Sequence, residues 1–179
     1  MGREIRRVPP DWEHPRYTKD DAERSALIGK YRSLHDEDFE TASEEWLQNC
    51  LLWKEGKHPD QIGKDRASYK YYWQLAGNPP DPLHYRERKW TPEEATHFQV
   101  YETVSEGTPL TPVFATKQAL IDYLVSFGDF WSQHEGKGGW PKENAERFAN
   151  DEFAFSMIMR PNADGPKTVT EKGYYEEEK

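Results

Sequence analysis

Rings are the main apolar material from which this chain has to build a core. Only 35% of its 179 residues are hydrophobic and 32% are charged, while seven Trp, ten Tyr and eight Phe supply 14%. A fully enclosed ring removes roughly 150–250 Å² from water. Such a core is expected to hold on the order of a hundred residues, with the rest lying over it or staying mobile.

The periodicity of the apolar residues says where that core forms. Phe39, Ala42, Trp46, Cys50 and Trp53 recur at spacings of three and four, with Leu47 and Leu51 widening the stripe. This predicts a helix over about 40–55, with Glu44 and Glu45 early and Gly56 as terminator. Cys50 on that face reads as a small core residue. From Thr96 the pattern becomes strict alternation, Phe98, Val100 and Val104 against Gln99, Tyr101 and Thr103, as in a half-buried strand. A turn at 106–109 leads to a second strand at about 110–115, and Pro112 within it requires an edge or a bulge.

Thr116 is a natural N-cap for a helix over 117–127, with Leu120, Tyr123, Leu124 and Phe127 inward and Gly128 at its end. A glycine-rich turn at 136–139 precedes Pro141, read as the first position of a short helix with Ala145, Phe148 and Ala149 inside. Residues 155–159 read as a third strand. SYKYYWQL at 68–75 is left between strand and short helix by its periodicity.

The expected architecture is α+β, a small antiparallel sheet with helices packed on one face, and the 40–55 helix is expected to cover that sheet. Pro9, Pro10 and Pro15 give residues 1–20 the character of an extended N-terminal arm that packs across the domain through Ile5, Val8 and Trp12. The expected division is an arm and charged segment over 1–38, one domain over 39–161, and a mobile acidic tail over 162–179.

Charge and motifs narrow the function classes. A net charge of −9 disfavours direct contact with nucleic acid, because phosphates require Lys and Arg. It suits a protein partner with a basic surface, including one that normally holds DNA or RNA. One cysteine permits neither an internal disulfide nor a cysteine-rich zinc site. The opening MGREIRRVPP lacks the apolar run of a signal peptide. No stretch approaches a membrane span. A cytoplasmic location is therefore expected.

None of the six histidines pairs with another at helical spacing, so no metal is expected. His58-Pro59-Asp60 is the tripeptide of J-domain co-chaperones, but the basic helix that precedes it there is missing. The 136–139 segment lacks phosphate-loop spacing, and no G-x-S-x-G is present. No cofactor or catalytic residue is assigned; for an enzyme acting on a nucleotide or other small molecule, His97, Glu102 and Ser105 are the candidates.

Two sets of residues are candidates for binding. Trp12, Tyr17, Trp90 and Trp140 lie outside the helical stripes, and Trp and Tyr often anchor interfaces. Asp36, Glu37, Asp38, Glu44 and Glu45 form an acidic run able to make an anionic ridge.

GREIRRVPPDWEHP at 2–15, YYWQLAGNPPDP at 71–82 and THFQVYETVSEGTPLTPVFATKQALIDYL at 96–124 resemble a family of uncharacterised proteins encoded by tailed bacteriophages and prophages. The resemblance implies a bacterial host cytoplasm and a phage life cycle, and carries over no catalytic residue. The expectation is a non-enzymatic accessory protein working by protein–protein contact; a small enzyme or a minor virion or assembly protein are the alternatives.

Overall fold

The computed structural model describes residues 2–21, 26–61, 69–103, 107–154, 157–160 and 167–170. The fold is α+β, and the chain divides into two compact units, residues 1–33 with 90–179 and residues 34–89. This differs from the expected cuts after residues 38 and 161, because the sheet is assembled from both ends of the chain.

In the first unit, β1 (Arg3–Val8) is the middle strand of an antiparallel sheet. On one side lies β2 (His97–Glu102), with Ile5 opposite Val100 and Arg7 opposite Phe98. On the other lies β3 (Phe153–Ala154). The first residues are thus a strand and not an arm. Pro9 and Pro10 end it after Val8, since neither can donate to the ladder. Ile5 and Val8 are buried as expected.

β2 follows the predicted strand closely. Beyond it, residues 107–114 pair only at isolated points, Phe98 with Phe114 and Tyr101 with Pro109. Between them Thr111 Oγ1 accepts the Val100 N–H at 3.1 Å, so the expected second strand at 110–115 is replaced by an irregular edge segment around Pro112.

Side chains alternate across the sheet. Ile5, Phe98 and Val100 face α3 (Lys117–Phe127) and α5 (Lys142–Asp151), and join Leu120, Leu124 and Phe148 in the core. Thr116 caps α3 by accepting the Ala119 N–H, and Gly128 closes it with φ 74°. Its inner face uses Ile121, while Phe127 is 58% exposed, so one position of the predicted stripe is displaced. Pro141 sits one residue before α5, whose inner residues Ala145, Phe148 and Ala149 are buried as read.

A short helix missed in the sequence, α4 (Phe130–His134), starts on buried Asp129, which accepts the Ser132 N–H at 2.7 Å and pairs with Arg3. Gly139 is the packing point of the glycine-rich turn: a Cβ there would stand 1.8 Å from the Val125 carbonyl oxygen.

The opposite sheet face carries Arg6, Val8, Gln99 and Tyr101, all buried. Residues 12–17 cover it and are clasped to 29–32 through Tyr17 N–H to the Lys30 carbonyl and Arg32 N–H to the Pro15 carbonyl. Separately, β4 (Met157–Arg160) and β5 (Lys167–Thr170) pair antiparallel. The expected third strand at 155–159 overlaps β4, its first two residues lying outside the described residues, and β5 falls within the stretch read as a tail. Residues 171–179 lie outside the described residues.

The second unit is built on α1 (Phe39–Lys54), against which α2 (Tyr72–Ala76) packs. The ambiguous 68–75 segment thus contains a short helix. Trp53, His58 and Tyr72 form its ring cluster, with centroids 5.1–5.9 Å apart. α1 belongs to this unit; within the first unit, α3 and α5 pack on the sheet. Ala42 and Trp53 are buried along α1, but Leu47 and Leu51 are 57% and 55% exposed, which corrects the wide inward stripe. Cys50 is half-buried, and burial raises its thiol pKa, which disfavours the reactive thiolate.

Candidate functional site

The acidic run resolves into groups with different tasks. Asp38 is buried and is the N-cap of α1, accepting from the Thr41 N–H at 3.0 Å and the Thr41 hydroxyl at 2.9 Å. The Thr41 N–H, foremost, holds its carboxyl below the usual range. Asp36 pairs with Arg86 at 3.1 Å. Neither is a free surface charge, so the expected ridge loses two members. Glu37 has its pKa raised, first by burial and then by the negative charges of Glu45 and Asp38.

Glu44 and Glu45 are exposed. Glu40, Glu44, Leu47, Gln48 and Leu51 recur at helical spacing on one exposed side of α1. That face joins acids to two uncovered leucines.

The four rings read as free anchors are tied into the first unit. Tyr17 is 7% exposed. Trp12 stands edge-on to Trp90, with centroids 4.7 Å apart, and donates its indole N–H to Tyr101 Oη at 3.0 Å. Trp140 packs on Phe148 and donates to Ser132 Oγ at 3.0 Å. They serve the fold first, because a ring in an apolar-poor chain gains most by burial.

The enzyme candidates do not converge. His97 and Glu102 are five positions apart on β2 and so point to opposite faces. Glu102 accepts the Trp131 indole N–H at 2.9 Å, and Ser105 lies outside the described residues. Among the described residues no group of three or more His, Cys, Asp or Glu is placed to hold a metal ion, and no helix is long and apolar enough to cross a membrane.

What the sequence did not reveal is a cleft of about 790 Å³ in the first unit. Trp12 and Tyr31 reach it from the segments covering the sheet, Tyr123 and Phe130 from α3 and α4, and buried His14 and Gln99 line it too. His14 lies between Tyr101 Oη, 3.0 Å from Nδ1, and the Arg32 carbonyl, 2.6 Å from Nε2. Burial pulls its pKa down to about 4; the Arg32 carbonyl opposes this, and the charges of Arg6 and Arg16 add to it. The imidazole is therefore neutral at pH 7 and donates Nε2–H to that carbonyl.

Arg16 lies over the Tyr31 ring, its guanidinium carbon 3.7 Å from the centroid, and gives one N–H to the Gly29 carbonyl at 2.8 Å. Arg6 is paired with Glu4 and Arg32 with Asp21. Arg16 has no carboxylate partner among the described residues. No local motif marks this arrangement, since its residues are scattered from 12 to 133. No protein-family model, curated protein or solved structure matches the chain.

Proposed function

We propose that the chain acts by protein–protein contact, through the exposed face of α1. The observation that carries this reading is the pair Leu47 and Leu51, 57% and 55% exposed, beside Glu40, Glu44 and Glu45 on a helix anchored from its other side. Two exposed leucines one helical turn apart on a helix give a partner adjacent apolar anchors, the arrangement by which a helix face docks. The surrounding carboxylates select a partner whose surface is basic around an apolar centre. A host nucleic-acid-binding or defence protein fits that description. If the phage resemblance holds, the setting is the bacterial cytoplasm and the role is that of an accessory protein and not an enzyme.

The test is affinity capture from bacterial lysate with the wild-type chain, Leu47→Ser/Leu51→Ser and Glu44→Gln/Glu45→Gln. The reading expects a partner held by the wild type, released by added salt and lost from both double variants. Identical capture by all three chains contradicts it.

A further inference from the structure

We propose that the cleft of the first unit binds a small anion built on a flat ring, the ring against Trp12, Tyr31, Tyr123 or Phe130 and the acid group on the Arg16 guanidinium. Three observations carry it. The volume, about 790 Å³, falls in the range of roughly 300–1,000 Å³ that small ligands use. Its rings come from separate elements, and Tyr31 and Phe130 are 39% and 52% exposed, which leaves ring surface to a guest although Arg16 lies over one face of Tyr31 and His134 stacks on Phe130. Arg16 is held over Tyr31 and fixed by the Gly29 carbonyl, yet has no carboxylate partner among the described residues.

A guanidinium fixed on a ring, with N–H donors left over, is prepared for the planar fork of a carboxylate or phosphate. Elsewhere in the same unit arginines are matched: Arg3 with Asp129, Arg6 with Glu4, Arg32 with Asp21. In a chain of net charge −9, a guanidinium at a ring-lined cleft that pairs neither with neighbouring Glu13 nor with any other described carboxylate is suited to a ligand's acid group.

The shared chemistry is a ring and an anion, and its source is either a nucleoside monophosphate or an aromatic carboxylate. Calorimetric titration of the full chain separates them, with adenosine monophosphate against adenosine and indole-3-acetate against indole; inorganic phosphate and acetate supply the anion alone. At least one ring-bearing anion is expected to bind at least about tenfold more tightly than its neutral parent, the size of a charge-assisted hydrogen bond, and more tightly than the bare anion.

Arg16→Gln is expected to erase that preference while leaving the neutral ring compound's affinity. Arg16→Lys, which keeps charge without the fork, is expected to fall between, and circular dichroism of both variants establishes that they fold. Equal affinity for anion and neutral parent in both pairs, no binding by any ring compound, or an unchanged preference in folded Arg16→Gln overturns the proposal.

Discussion

His14 is the residue whose chemistry is most altered by its surroundings. It is neutral in the fold, with a pKa of about 4 against an ordinary 6.5. Unfolding frees it to take up a proton below pH 6.5. Its contribution is thus present in full above about pH 6.5 and lost as the pH falls through about 4, a change of up to about 3 kcal/mol. Denaturant unfolding of wild type and His14→Gln over that window measures it. The stability difference between the two is expected to shrink toward pH 4, whereas parallel curves would contradict the placement of His14. Nothing near His14 in the sequence announces this. Its partners are Tyr101 and the Arg32 carbonyl, which only the folded chain brings together.

At the scale of elements, what was legible had its signals close in sequence. Thr116 and Gly128 bracket α3 because a cap and a left-handed terminator are local chemistry. For α1 the terminator Gly56 was legible, whereas Asp38, read as part of an acidic run, is its N-cap. Asp38→Ala is expected to cost about 1 kcal/mol, up to 2, and to lower hydrogen-exchange protection in the first turns of α1. Asp38→Asn, which keeps the acceptor, should retain most of it; equal loss in both would contradict the capping role.

What was not legible depends on tertiary choice. Phe127 and Ile121 are equally apolar, and which one faces inward depends on where α3 meets the sheet. Leu47 and Leu51 fit an inward stripe, yet α2 packs against another side of α1. The cleft draws on six separate stretches of chain, so periodicity within any one of them is silent about it.

At the scale of the whole molecule, β1 at 3–8 joins strands at 97–102 and 153–154 in one sheet. β1 reads poorly as a strand because Arg3, Arg6 and Arg7 interrupt its apolar residues. The register supplies the reason they are tolerated. Arg6 pairs with Glu4 at 2.6 Å and lies over the Tyr101 ring at 4.4 Å, while Arg7 lies over Phe98 at 5.1 Å. The stacked rings accept the guanidinium faces. A chain lacking residues 1–8 is therefore expected to lose the first unit's cooperative thermal transition and its near-ultraviolet circular dichroism. An unchanged transition would mean that the segment is the dispensable arm its prolines suggest.

The proposed function rests on the face of α1 that carries exposed Leu47 and Leu51. Its most direct measurement is photo-crosslinking in bacterial cells, with a photoreactive residue placed singly at position 47, at 51, or at exposed position 118 on α3. One discrete protein adduct is expected from positions 47 and 51, absent at 118 and abolished by Glu44→Gln/Glu45→Gln. No adduct from either leucine position, or the same adducts from position 118, would contradict it.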